Sequence, residues 1–159
     1  MQSHAERRIL PYPPREVFAL VADIERYPEF LPWCIAARIR SREGNVVIAD
    51  LVIGTGFIRE KFTSRVMLQP APDDRSEGRI EVEYIAGPME HMSNRWIFRP
   101  VGLDGAKGGT EATEIDFYVE FKFRSKMLEK LMGLFFHEAV TRMVRAFETR
   151  AAAILKRSA

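Results

Sequence analysis

A change in the spacing of apolar residues near Ser125 constrains the fold of this chain more than any other sequence feature. From Ile35 to Arg124, apolar and polar residues alternate in six runs separated by turn residues, which is the period of β-strands. From Ser125 to about Leu155, apolar residues recur every three or four positions, which predicts a helix of about thirty residues, roughly 45 Å long, with Ser125 as its N-cap. Because a helix needs tertiary packing to be stable, we expect the sheet to cover it.

The last strand run is the clearest of the six. Every second residue from 115 to 123 is apolar, and the positions between them include Asp116, Glu120 and Lys122. One face of this strand is therefore apolar and the other mostly charged. This pattern is typical of an antiparallel sheet that is covered on one side only.

The N-terminal part predicts a strand followed by two short helical segments. The strand is expected around Glu6–Leu10, and Pro14 suits the first turn of a helix, where its missing N–H is not needed. That helix should end before Pro28, because proline disfavours helix at the residue before it. Residues 27–34, YPEFLPWC, then form a second short helical turn that carries much apolar surface.

Together these elements predict an α+β fold of the helix-grip type. It has a seven-stranded curved antiparallel sheet around a long C-terminal helix, with two short helices after the first strand. The 159 residues suit a single domain, residues 1–159, with a hydrophobic core large enough to be stable without disulfide bonds or bound metal. Since a curved sheet and a straight helix touch along a line and diverge elsewhere, we expect an apolar, ligand-binding cavity between them.

Composition excludes several classes of protein. The formal net charge of +2, from 24 basic and 22 acidic residues, does not indicate a DNA-binding protein. A single cysteine excludes an internal disulfide and a multi-cysteine metal site, and it fits a reducing compartment. The N-terminus lacks a signal peptide pattern, and no run approaches the ~18 apolar residues of a membrane span. We therefore expect a cytoplasmic protein that is at most peripheral to a membrane.

Several motifs follow one another along nearly the whole chain. They are PPREVFALVAD (13–23), YPEFLPWC (27–34), FIREKFTSRV (57–66), Gly87-Pro88 with Trp96-Ile97-Phe98, and DFYVEFKFRSKMLEKL (116–131) leading into FFHEAVTRMVRAF (135–147). In this order they resemble the START-like superfamily, also called polyketide cyclase/dehydrase-like, and within it the coenzyme Q-binding proteins. The resemblance implies one START-like ligand-binding domain.

The resemblance implies different functions for two branches of that family. One branch binds ubiquinone or its precursors without catalysis and supports respiratory electron transfer and quinone biosynthesis, with peripheral contact to the inner membrane. The other branch, the ribosome-association toxins, blocks the joining of ribosomal subunits and implies the large subunit as partner. Pro32-Trp33-Cys34 favours the quinone branch, since the toxin branch tends to have Pro-Gly-Cys. Ubiquinone or a related polyprenyl lipid is therefore the expected ligand, with no covalent cofactor.

The residues expected to line the cavity come from YPEFLPWC, from the strands and from the long helix. They are Tyr27, Phe30, Leu31, Trp33, Glu60, Phe62, Met92, Asn94, Trp96, Phe121, Leu131, Phe135 and Met143. Trp33 either stacks on a quinone ring at the cavity mouth or packs in the core. Glu60 shares a strand face with Phe62, so its carboxyl group either is buried with a partner or in protonated form, or lies in solvent at a strand end or bulge. Asn94 shares a strand face with Met92 and Trp96, so its amide likewise either has a buried partner or lies in solvent.

The sequence predicts no catalytic residue and no metal site. Cys34 has no paired histidine motif and is interpreted as a small buried hydrophobe. The three histidines, His4, His91 and His137, lack metal-ligand spacing. His137 is interpreted as hydrogen-bonded or half-exposed, although a helix that turned it inward would bring it to a quinone carbonyl. A polyketide cyclase or aromatase, the third alternative, would need acid–base residues, and only Glu60 and His137 are candidates.

Two further groups of residues have both a ligand-related and an ordinary interpretation. Methionine adapts to irregular shapes, so five methionines either contact a flexible isoprenoid tail or fill the core. They are Met89, Met92, Met127, Met132 and Met143. Arg38, Arg40 and Arg42 could meet anionic lipid or ribosomal RNA, but a solvated strand face is the ordinary role of such residues.

Overall fold

The computed structural model describes residues 1–55 and 58–156, which form one antiparallel sheet and three helices. The strands are β1 (Gln2–Leu10), β2 (Cys34–Glu43), β3 (Val46–Thr55), β4 (Ile58–Gln69), β5 (Gly78–Ala86), β6 (Met89–Val101) and β7 (Ala112–Phe123). The helices are α1 (Pro14–Ala22), a 3-10 helix (Ile24–Glu29) and α2 (Lys126–Ile154). The predicted seven strands, two short helices and long C-terminal helix are confirmed. Residues 56–57, which include the first residue of FIREKFTSRV, and the end of the predicted domain at 157–159 lie outside the described residues.

The strands lie side by side in the order β1-β7-β6-β5-β4-β3-β2. β1 is longer than predicted, because pairing with β7 continues to its first residues, where Gln2 lies opposite Phe121. The centre of the sheet is aromatic: the rings of Trp96 in β6 and Phe117 in β7 are 4.7 Å apart between centroids. The face that carries these rings is the one that packs against the helices.

Helix α2 packs across that face of the sheet. Ser125 is its N-cap, as predicted, and its side chain accepts a hydrogen bond from the backbone N–H of Leu128 at 3.2 Å. Two phenylalanines hold the helix on the sheet: Phe136 lies 4.6 Å from Phe121, and Phe147 lies 5.1 Å from Trp96, between ring centroids. Aromatic pairs at these distances add stability beyond the area they bury.

The segment YPEFLPWC contains two kinds of backbone structure. Its first three residues complete the 3-10 helix, which includes Pro28, and the rest forms a turn before β2 begins at Cys34. The backbone N–H of Gly54 in β3 donates to the carbonyl of Trp33 at 3.0 Å, which fixes this turn beside the end of β3. The segment therefore closes the space between α1, α2 and the sheet.

Candidate functional site

An apolar cavity of about 260 Å³ lies between α2, the 3-10 helix and the inner face of the sheet. Small-molecule sites in proteins usually have volumes of about 300 to 1,000 Å³, so this cavity is close to the lower limit of that range. Its wall is formed by alternate residues of β3 to β7, because every second side chain of a strand points to the same face. The cavity predicted from the divergence of sheet and helix is therefore present.

Nine of the thirteen predicted residues lie on the cavity wall. They are Tyr27, Leu31, Trp33, Phe62, Met92, Asn94, Trp96, Phe121 and Met143. Four of the five methionines singled out from the sequence also line it: Met89, Met92, Met132 and Met143. The fifth, Met127, is 77% exposed on the first turn of α2.

The other four predicted residues do not lie on the wall. Phe30 packs against Phe147, at 5.1 Å between centroids, with the guanidinium carbon of Arg150 5.1 Å from its ring. Glu60 is partly exposed and lies beyond Phe62 near the start of β4, as expected of a strand end. Leu131 and Phe135 face solvent, with 39% and 54% of their surface exposed.

The prediction for α2 was wrong in the first half of the helix, where the wrong helical face was chosen, and right at Met143 in the second half. The face that meets the cavity includes Phe136, Val140 and Phe147, none of which was predicted. A signal for this face existed in the second half of the helix, where Val140, Val144 and Phe147 recur among charged residues. Extending that spacing back by four residues reaches Phe136 and not Phe135.

Asn94 provides the only side-chain amide of the wall residues that the structure describes. Its Nδ2 donates to the backbone carbonyl of Tyr118 at 2.9 Å, and its Oδ1 accepts from Nε1 of Trp96 at 3.0 Å. These two bonds fix the amide and also satisfy the buried indole N–H. A second hydrogen on Nδ2 remains for another acceptor, such as a carbonyl oxygen in the cavity.

The two ionisable groups of the described wall are both protonated at neutral pH. Burial raises the pKa of the Cys34 thiol to about 11, so Cys34 has little of the thiolate that a nucleophile requires. Burial also raises the pKa of Tyr27 well above its ordinary value, and its hydroxyl donates to the carbonyl of Val21. The wall residues in the described ranges include no carboxylate, imidazole, amine or guanidinium group.

His137 lies outside the cavity wall, on the exposed side of α2. Its Nδ1 is 2.9 Å from Nδ1 of His4 in β1, so one ring donates a hydrogen bond to the other. The interpretation as a hydrogen-bonded histidine is confirmed. Within residues 1–55 and 58–156, no three histidine, cysteine or acidic side chains are grouped as metal ligands would be. In the same ranges, no helix has both the length and the apolar character needed to cross a membrane.

Comparison with solved structures supports the fold. A START superfamily protein from Mycobacterium smegmatis superposes with a TM-score of 0.72 at 17% identity, covering 96% of this chain and 98% of its own. The Zhui aromatase/cyclase from Streptomyces sp. R1128 superposes with a TM-score of 0.74 at 16% identity, covering 98% and 96%. At these identities the likeness concerns the fold alone.

Comparison with known sequences gives relatives in both branches. The ribosome association toxin RatA of Rickettsia prowazekii is 40% identical over 98% of this chain and 100% of its own length. The coenzyme Q-binding protein COQ10 homolog B of Xenopus laevis is 29% identical over 97% of this chain, which spans 59% of that protein. The model of the family described as polyketide cyclase / dehydrase and lipid transport matches residues 10–148. The chain belongs to this family.

Proposed function

We propose that this chain is a non-enzymatic binding protein for ubiquinone or a related polyprenyl lipid. The observation that carries the proposal is the apolar cavity of about 260 Å³. Burial of isoprenoid carbons would supply affinity, at about 0.8 kcal/mol per CH₂ before the cost of association. The COQ10 relative, named as a coenzyme Q-binding protein, supports this ligand class. In this role the chain would hand quinone to respiratory or biosynthetic enzymes.

The chemistry of the wall supports binding over catalysis. A cyclase or aromatase needs acid–base groups that converge on its substrate. Glu60 and His137, the candidates for such a role, are not among the described wall residues, and Cys34 and Tyr27 stay protonated at neutral pH. A quinone, by contrast, needs only apolar contact and a hydrogen-bond donor for its carbonyl, which the amide of Asn94 supplies.

The two tryptophans provide a direct test, because the chain has only Trp33 and Trp96 and both line the cavity. Quinones quench indole fluorescence, so titration with short-tail ubiquinone should quench most of the emission. Ala139→Phe fills the cavity from α2 and should abolish saturable quenching. The matched control, Ala152→Phe, adds the same ring at an exposed position of α2 and should bind as the wild type does. Absence of saturable quenching in the wild type, together with no lipid in organic extracts of the purified protein, would contradict the proposal.

The exposed side of α2 supports exchange of the ligand at an anionic membrane surface. Its first turns expose an apolar stripe, namely Met127, Leu131, Leu134 and Phe135. The exposed cations Lys126 and Lys130 flank this stripe, which suits a bilayer containing acidic lipids. Leu134→Gln/Phe135→Gln should weaken co-sedimentation with vesicles of phosphatidylcholine and phosphatidylglycerol, while Ala152→Gln should not. Equal binding of both variants would exclude the stripe as the contact.

Ribosome association is the second candidate function. The RatA relatives from Rickettsia prowazekii and Pseudomonas aeruginosa, at 40% and 32% identity, support it. In this role the chain would bind the large ribosomal subunit and prevent its joining with the small one. Co-sedimentation with purified large subunits, and a loss of joined ribosomes when the chain is added, would be the expected results. Recovery of the protein only at the top of the gradient would exclude this function.

A further inference from the structure

The outer face of the sheet, opposite the cavity, carries a cluster of cations on β2 and β4. Ala49 and Leu51 of β3 line the cavity, so Asp50 between them points to the outer face. Asp50 lies opposite Arg38 of β2 and Thr63 of β4 in the sheet register. Arg38, Arg40 and Lys61 each have a side-chain nitrogen within 4 Å of Asp50. Arg59 lies two residues before Lys61 on the same face of β4 and extends this group toward the start of the strand. We call these four cations the basic face.

Asp50 organises the basic face. Its side chain is only 6% exposed, its Oδ1 accepts from the hydroxyl of Thr63 at 2.6 Å, and its Oδ2 accepts from Nε of Arg40 at 2.7 Å. The nearest side-chain nitrogens of Arg38 and Lys61 lie 3.8 and 3.9 Å from the same Oδ2. Burial alone would raise the pKa of this carboxyl, but the hydrogen bonds from Thr63 and Arg40 bring it below its ordinary value. Asp50 therefore stays ionised and attracts Arg38, Arg40 and Lys61 to one place on the sheet.

The basic face has more cations than its single carboxylate can neutralise. Elsewhere, arginines lie between several carboxylates: Arg99, for example, is within 3.4 Å of oxygens of Glu77, Glu114 and Asp116. In the described part of the chain, Arg40 uses only Nε in a hydrogen bond or ion pair, which leaves the two terminal NH₂ groups of its guanidinium for another anion. Such a planar pair of donors matches a phosphate group.

The spacing of the cations suits a chain of phosphates more than a single anion. Arg59 and Lys61 alternate along β4, so their Cα atoms are roughly 6.6 Å apart at about 3.3 Å per residue. This spacing is comparable with that of successive phosphates along a nucleic-acid strand. The outward residues of β3 beside Asp50 are Ile48 and Val52, which offer no aromatic ring for base stacking. The face thus suits contact with a backbone and not readout of bases.

We propose that the basic face binds the sugar–phosphate backbone of RNA, and this assignment rests on ribosome association as the second candidate function. Contacts of this kind are independent of sequence and weaken steeply with salt. The basic face lies across the sheet from both the cavity and the apolar stripe of α2. RNA binding and ligand binding can therefore be removed separately by mutation.

The test compares two triple variants that remove the same charge. Arg38→Gln/Arg59→Gln/Lys61→Gln removes three cations of the basic face but keeps Arg40, so the buried Asp50 retains its closest cation. The control, Lys107→Gln/Arg142→Gln/Arg145→Gln, removes three exposed cations outside the basic face. The probe for fluorescence anisotropy is a labelled double-stranded RNA hairpin. We expect the first variant to bind at least tenfold more weakly and to lose about one unit of salt slope per cation removed. We expect the control to change little.

Sedimentation with purified large ribosomal subunits separates failure of this assignment from failure of the candidate function. If wild type and both variants sediment equally with subunits, ribosome association stands and the basic face is the wrong surface. If the wild type binds the hairpin but not the subunits, and the basic-face variant no longer binds the hairpin, the RNA-binding assignment stands and ribosome association fails. Equal weakening of hairpin binding in both variants would show an effect of bulk charge and overturn the proposal. If the basic-face variant lost binding to phosphatidylglycerol vesicles but still bound the hairpin, the basic face would be a lipid-binding surface and the RNA proposal would be overturned. Far-ultraviolet circular dichroism and urea unfolding of each variant verify the fold.

Discussion

At the scale of single residues, Asn94 supplies the side-chain amide among the described residues of the cavity wall. Replacing it by leucine removes the amide that would donate to a quinone carbonyl, so we expect about tenfold weaker quinone binding, or ~1.4 kcal/mol. Binding of farnesol, which has a prenyl chain but no quinone ring, should change much less. The comparison is made by tryptophan quenching for the quinone and by displacement for farnesol. A parallel loss for both ligands would mean that the variant has lost the cavity and not a specific hydrogen bond.

The Leu variant also removes the acceptor for Nε1 of Trp96, so its stability must be measured alongside binding. Met92→Leu is the matched control, since it changes another wall residue with little change of volume and no hydrogen bond. This control should retain the affinity of the wild type for both ligands.

Asp50 makes a pH-dependent contribution to stability. We expect Asp50→Ala to lower the free energy of unfolding by about 1–3 kcal/mol at pH 7, because Thr63 and Arg40 lose a buried, charged acceptor. The folded-state pKa of Asp50 lies below its ordinary value of 3.8. Its contribution is therefore complete above that value and is lost as the pH falls through the folded-state pKa. Urea unfolding at several pH values measures the difference between wild type and variant.

For comparison, Glu83→Gln removes an exposed carboxylate, 3.3 Å from Arg65, and should change stability by no more than about 0.5 kcal/mol. A difference between wild type and Asp50→Ala that persisted unchanged in acid would contradict the charged role of Asp50.

At the scale of elements, two glycines should respond in opposite ways to alanine. Gly133 lies inside α2, where a new Cβ would be 3.0 Å from Nε2 of Gln2, the movable end of a flexible side chain. Because alanine favours helix, Gly133→Ala should add about 0.5–1 kcal/mol to the free energy of unfolding.

Gly87 has φ +145°, and a Cβ added to it would lie 2.7 Å from Cβ of Phe62. Gly87→Ala should therefore cost at least about 1 kcal/mol. Denaturant unfolding of both variants checks the signs, and stabilisation by Gly87→Ala would refute the strain argument.

Helix α2 also shows where sequence patterns stop being informative. Its length and its N-cap at Ser125 follow from local rules, and both were predicted. The face of its first half was predicted wrongly, because residues 127–136 are apolar on the exposed side as well as on the buried one. Leu131 and Phe135 therefore match the helical period as well as Met132 and Phe136 do. Only contact with the sheet distinguishes the two faces, and that contact is a tertiary property.

At the scale of the whole molecule, the strand alternation predicted most of the cavity wall, because one face of the sheet must be apolar to cover α2. Alternation could not predict which residues of the apolar face lie at the cavity and which lie beyond its edge. Glu60 and Phe62 share a face, yet only Phe62 reaches the cavity, since Glu60 lies closer to the strand end. The same alternation produces the basic face, because Asp50 must point outward when Ala49 and Leu51 point inward.

The cavity volume determines how much of a polyprenyl ligand the molecule can enclose. A cavity of about 260 Å³ accommodates a quinone head and the first part of a tail, and the rest of a long tail must lie outside. Affinity should therefore rise steeply from a tail-less quinone over the first isoprene units, at about 0.8 kcal/mol per buried CH₂, and then level off. Titration with ubiquinones of increasing tail length, followed by quenching of Trp33 and Trp96, measures this dependence. Ala139→Phe, which fills the cavity, should show no saturable quenching at any tail length. A steady rise up to the longest tails would show instead that the tail is buried along another surface, and the apolar stripe of α2 would then be the first place to test.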